Sequence, residues 1–223
     1  MEIFYINSDT FLNNIDIKSL DSFLEDKSFK SEKQKLQFCL GRFLVKYTGI
    51  SQYGVKNPEI EIVNKKPKFK YSDINFSISH SKNIILAAFD DHPVGVDIEF
   101  MKPRKFEEIF KYYNLNIKNP TDEYFYRFWT EYEAGIKLQL PAKSTAVFRV
   151  NNFMLAVKSY SSLGIKSRLR IYELKSPVVN TNPSELISLN PVKDSRKNEN
   201  TLVIQDINTA SLTSFSPLNL NIE

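Results

Sequence analysis

Sulfur and imidazole are scarce in this chain: 223 residues include one cysteine, Cys39, and two histidines. A single thiol excludes an internal disulfide, and without CxxC or paired Cys/His spacing no structural zinc site can be built. Met1–Phe11 lacks a positive stretch followed by an apolar core, and nowhere do apolar residues run long enough to span a bilayer. The expectation is a cytoplasmic protein with no membrane partner. Unbroken blocks of lysine and arginine are missing too, although Lys and Arg (30) outnumber Asp and Glu (26) for a net charge of +4 and a pI of about 8.9. That mild excess favours an acidic or phosphate-rich partner and gives no reason to invoke nucleic acid. The absence of a GxSxG turn argues against a Ser-His-Asp hydrolase. No internal repeat and no low-complexity segment is present.

Hydrophobic residues make up 42% of the chain and aromatics 13%, enough for one large domain or two small ones. EIFYI (2–6) suits a first strand. Apolar residues at Leu36, Leu40, Phe43, Leu44 and Tyr47 mark one face of a helix from about Ser31 to Tyr47, with Cys39 as a small buried side chain within it. EIEIV (59–63) alternates like a strand that Asn64-Lys65-Lys66-Pro67 breaks. NFSIS and NIILAAF are expected as strands around a bend centred on His80, with VGVDIEF as the next. Helical patterns follow in FEEIFKYY and in DEYFYRFWTEYEAGIKLQL, the latter stopped by Pro141. STAVFRV, FMLAVKSY, RLRIYEL and TLVIQDI complete the strands. Beyond about Ser176 a loop-rich end with one strand is expected.

Three places put polar residues where a core pattern calls for apolar ones. In VGVDIEF, Asp97 and Glu99 lie on one face of a strand, roughly 6.5 to 7 Å apart, opposite Val96, Ile98 and Phe100. Like charges so close raise each other's pKa, so a cation is wanted between them, unless the strand is simply exposed. In FSISHSK, His80 stands among the hydroxyls of Ser77, Ser79 and Ser81, which suits either phosphate oxygens or a serine-capped turn. In FWTEYEAGIK, Trp129, Glu133 and Lys137 share one helix face. Glu133 and Lys137 form either a solvated ion pair or a third acid and an amine facing Asp97 and Glu99 across a cleft. Three carboxylates without a thiol make a hard oxygen site that suits magnesium, and the neighbouring lysine and histidine suit a pyrophosphate.

Taken in order, Lys66-Pro67, Ser79-His80-Ser81, Gly95-Val96-Asp97-Ile98-Glu99 and Trp129 to Lys137 resemble the motifs of the 4′-phosphopantetheinyl transferase family, in its Sfp-like branch. The likeness covers roughly residues 1–160. It implies an α+β fold of two similar α/β halves in a pseudo-twofold arrangement, residues 1–102 and 103–223, joined near residues 101–104. It also implies a monomeric transferase that moves the phosphopantetheine arm of coenzyme A to a serine of an acyl or peptidyl carrier protein, releasing 3′,5′-ADP. Asp97, Glu99 and Glu133 would bind magnesium. Glu133, or a water held by the carboxylates, would take the serine proton, and Lys137 would stabilise phosphate charge. His80 would contact the pyrophosphate, Ser79, Lys66 and Pro67 the nucleotide end, and Lys27 and Lys30 the 3′-phosphate. Carrier proteins of this kind are acidic, which agrees with the basic pI. Three positions depart from the family pattern: Tyr132 and Lys65 stand where lysine and glycine are usual, and Gln37 where an arginine is. A non-catalytic relative that binds coenzyme A or a carrier protein is the alternative that Tyr132 motivates.

Overall fold

The computed structural model describes residues 1–25, 27–115, 117, 120–176, 203–207 and 213–215. Strand β1 (Glu2–Asn7) and a single helical turn, α1 (Ser8–Phe11), lead through 3-10 turns to the long helix α2 (Glu32–Tyr53). Ser31 caps α2 by accepting the Gln34 N–H. The helix runs past Tyr47, the last periodic position, because the stop signal is Gly54, left-handed at φ 65°. Lys66 and Pro67 do not merely break a strand. β2 (Ile60–Val63) turns through Asn64 and Lys65, both at positive φ, straight into β3 (Lys66–Phe69).

Strands β4 (Asn75–Ser81), β5 (Ile84–Asp90) and β6 (Val94–Phe100) follow. The bend expected at His80 lies further on, at Lys82–Asn83. The β4–β5 ladder stays paired through His80↔Ile85 and Ser81↔Ile84, and Lys82 takes the left-handed turn at φ 52°. Helix α3 (Glu107–Tyr112) precedes α4 (Asp122–Leu138), which Thr121 caps through the Tyr124 N–H. Pro141 is not what ends α4. Gln139, at φ 63°, closes it by donating its N–H to the Gly135 carbonyl. The remaining elements are β7 (Ser144–Val150), β8 (Phe153–Ser159), α5 (Ile165–Arg168), β9 (Arg170–Lys175), β10 (Val203–Ile207) and β11 (Thr213–Phe215). Apart from β10 and β11, the loop-rich end expected beyond Ser176 lies outside the described residues.

The fold is α+β. One sheet has the order β10-β9-β1-β5-β4 and the other β11-β7-β8-β6. α2 buries Leu40, Phe43 and Leu44 against Phe4, Ile6, Ile85 and Phe89 on the outer face of the first sheet. Ile3, Leu86 and Ala88 on its inner face meet Val96, Ile98, Phe148 and Val157 of the second sheet. The far face of that sheet, with Val147, Met154 and Ala156, carries the aromatic residues of α3 and α4. The chain does leave β6 for α3 at residues 101–106, near the expected junction, yet strand pairing does not divide there. β6 pairs with β8 from beyond it, and β9 lies parallel to β1. Among the described residues no helix is long and apolar enough to cross a membrane.

Candidate active site

β6 turns Val94, Val96 and Ile98 into the layer between the sheets, so Gly95, Asp97 and Glu99 fall on the face toward α4. α4 lies against this face at a separation that only glycine permits. A Cβ at Gly95 would collide with the Ala134 carbonyl oxygen and sit 2.6 Å from the Leu138 nitrogen, both of them helix backbone. The close approach delivers Lys137 to the strand: its Nζ is 2.7 Å from Asp97 Oδ1 and 3.0 Å from Ser79 Oγ.

The serines of FSISHSK occupy the seam between the two sheets, where edge strands β4 and β6 lie side by side. Ser77, Ser79 and Ser81 each accept one backbone N–H from β6, those of Val96 (3.1 Å), Ile98 (3.3 Å) and Phe100 (2.9 Å). Two of them also donate to an acid: Ser79 to Asp97 Oδ1 at 2.7 Å and Ser81 to Glu99 Oε2 at 3.0 Å. Ser79 Oγ thereby uses its proton on Asp97 and its lone pairs on Ile98 and Lys137. Sequence reasoning read these hydroxyls as suited to phosphate oxygens or to a serine-capped turn and missed their bonds to the acids. The available signal was that SxSxS and GxDxE share a period of two, so two strands in register align every serine.

Asp97 is 5% exposed, and its Oδ2 is buried without a hydrogen-bond partner. Burial and the Asp97 charge push the Glu99 carboxyl above its ordinary range, against the pull of the Ser81 hydroxyl, Lys137 and Arg104. Glu133, one turn before Lys137 on α4, is raised by the same two causes and opposed by Lys137. Glu99 and Glu133 therefore both sense the Asp97 charge. The three acids do not form a finished cage, since among the described residues no three His, Cys, Asp or Glu side chains are grouped to hold a metal ion. His80, on β4, is lowered by desolvation and by the nearby Lys137.

Lys27 and Lys30 line a hollow of about 500 Å³ with Leu24, Phe29, Ser31 and Lys35 at the start of α2. Lys66 is turned elsewhere. Its Nζ donates to the Val94 carbonyl at 2.8 Å, at the end of β6 away from Glu99, and burial pushes the amine down to about 8. Pro67 continues β3 beside it. Tyr132 packs edge-on to Tyr113 with ring centres 4.8 Å apart and stacks on Phe128. Its hydrogen bond to Tyr113 is the largest cause that pushes the Tyr113 phenol up to about 12. The Gln37 amide donates to the Lys82 carbonyl at 2.9 Å.

The fold and site define an α+β protein in which carboxylates and a lysine converge where two sheets meet. No protein-family model matches the chain. It is 32% identical to a 4′-phosphopantetheinyl transferase of Bacillus subtilis, over 54% of this chain and 62% of that protein. It is 29% identical to the 4′-phosphopantetheinyl transferases ffp of Bacillus subtilis and Sfp of Bacillus subtilis strain 168, in each case over 66% of this chain and 76% of the relative. The chain thus spans just under two thirds of the length of the first and about three quarters of the other two. The relatives it matches are all named 4′-phosphopantetheinyl transferases, the family whose motifs the sequence resembles.

Proposed function

We propose that this protein transfers the 4′-phosphopantetheine arm of coenzyme A to a serine of an acyl or peptidyl carrier protein. The observation that carries this reading is the convergence of Asp97, Glu99, Glu133 and Lys137 at one seam, in a chain related to transferases of that name. In the reaction the serine Oγ forms a bond to the phosphorus nearer the pantetheine. The bond from that phosphorus to the bridging oxygen breaks, and 3′,5′-ADP leaves. Glu133, its carboxyl pushed above the ordinary range by burial and by Asp97, accepts the serine proton directly or through a water. Lys137 offers its ammonium to the phosphate oxygens from its seat on Asp97.

The buried, unpartnered Oδ2 of Asp97 and the all-oxygen donor set fit a divalent cation of the magnesium type, held by Asp97, Glu99 and Glu133. Such a cation supplies charge neutralisation along the pyrophosphate. His80, whose pKa desolvation lowers, donates an N–H to the same group, and the lysine-lined hollow at Lys27 and Lys30 takes the 3′-phosphate. Ser79 and Lys66, expected at the nucleotide end, are engaged by Asp97 and by Val94 respectively, so they support the site from behind. All these groups come from one chain, which supports action as a monomer, and we read it as cytoplasmic.

The test is intact-protein mass spectrometry of apo carrier proteins incubated with the chain, coenzyme A and magnesium, with and without chelator. A chelator-sensitive gain of one phosphopantetheine arm supports the reading. No gain on any carrier, from folded protein, refutes it and leaves the binding relative that the Tyr132 substitution favours.

A further inference from the structure

We infer that Ser79 and Ser81 are positioning residues of the acidic site, and that the β4–β6 seam sets which carboxylate oxygens face the ligand. Each serine of SxSxS lies opposite a pair of β6 residues. It accepts the N–H of the second, and it donates to the side chain of the first when that side chain is an acid. Ser79 meets Asp97 and Ile98, and Ser81 meets Glu99 and Phe100. Ser77 meets Gly95 and Val96, where no carboxylate exists to be held.

The three serines therefore share one structural task, and only two have a second. Because Ser79 and Lys137 both bind Oδ1 of Asp97, the oxygen left over is Oδ2, buried and without a partner. Ser81 holds Glu99 through Oε2, so that Oε1 is the oxygen its hydroxyl does not take. A carboxylate free to rotate would present either oxygen, and restricting it lowers the ordering that a bound ion or phosphate must impose. This assignment rests on the proposed function for the nature of the ligand. The geometry that carries it is independent of that reading.

Ser77 supplies the control, since it makes the seam contact without touching an acid. The experiment compares Ser77→Ala, Ser79→Ala, Ser81→Ala and Ser81→Thr for thermal unfolding, for transfer to an apo carrier protein, and for Mn2+ affinity by electron paramagnetic resonance in the presence of coenzyme A. Positioning predicts that all three alanine variants lose a similar few degrees of Tm. Only Ser79→Ala and Ser81→Ala should then weaken Mn2+ by about 10- to 100-fold, and Ser81→Thr should restore most of it. A Ser77→Ala loss of Mn2+ affinity as large as the others, Mn2+ affinity unchanged in all variants, or no Mn2+ binding by the unmodified chain overturns the inference. Absence of transfer by the unmodified chain refutes instead the proposed function, and the Mn2+ comparison still decides the role of the serines.

Discussion

Replacing Gly95 by alanine tests whether the site depends on the approach of α4 to β6. The added methyl meets the Ala134 carbonyl oxygen and the Leu138 nitrogen, the second at 2.6 Å, and neither can swing aside as a side chain can. Overpacking of this kind costs about 1 to 3 kcal/mol, and rigid backbone on both sides favours the upper end. For a chain of this size each kcal/mol moves Tm by roughly 2 to 4 °C, so a drop of about 6 to 12 °C is expected. Lys137 neighbours Leu138, so a helix pushed outward by about 1 Å stretches the 2.7 Å contact with Asp97 beyond bonding range. A displacement of that size costs on the order of 100-fold in kcat/KM. The assay pairs thermal unfolding with transfer kinetics, and Gly54→Ala is the comparison. Gly54 is left-handed at φ 65° with open space around its α-carbon, so that variant should pay only a backbone cost of about 1 to 2 kcal/mol and keep its kinetics. Gly95→Ala protein that melts within about 2 °C of the parent and transfers at the parental rate would refute the close-packing argument.

Glu133→Gln is expected to abolish transfer and raise Tm at neutral pH. The folded state lifts the Glu133 pKa, so stability from this group is complete at acid pH and lost as pH rises through the folded value; unfolding scans of both proteins from pH 4 to 8 should diverge only at the upper end. Lys66 works through the opposite shift. Its folded pKa of about 8 lies under the ordinary 10.5, so the unfolded chain binds the extra proton between those values and stability rises with pH across that window. Lys66→Met should flatten that rise in urea titrations, and an unchanged slope would dismiss the burial argument. Arg168→Ala should cost about 3 to 5 kcal/mol in urea unfolding, because Arg168 pairs at 2.7 Å with Asp90, whose side chain is 3% exposed and would be left as a buried, uncompensated charge.

Most elements were legible because their signals are local. Alternation in EIEIV and short apolar runs in VGVDIEF and NIILAAF gave strands, and the three-and-four spacing from Leu36 to Tyr47 gave the core helix. Their ends were less so: α2 continues to Gly54 and α4 stops at Gln139, where backbone conformation overrides the periodic pattern and the following proline. The candidate site was legible as a set of unusual residues, since Asp97, Glu99, Glu133 and Lys137 each occupy a position that plain core packing would fill differently.

The sequence by itself determined which residues are chemically able, because charge, period and motif order are properties of the chain read in line. Only the tertiary structure decided what each is bound to. Ser79 and Ser81, whose hydroxyls suited either phosphate oxygens or a capped turn, hold the acids because two edge strands from different sheets meet in register, and Lys66, expected at the nucleotide end, donates to Val94 from the β2–β3 hairpin. Contacts between residues far apart in the chain depend on how sheets and helices stack, and that stacking is fixed by shape at places such as Gly95, where a single hydrogen in place of a methyl lets α4 close on β6.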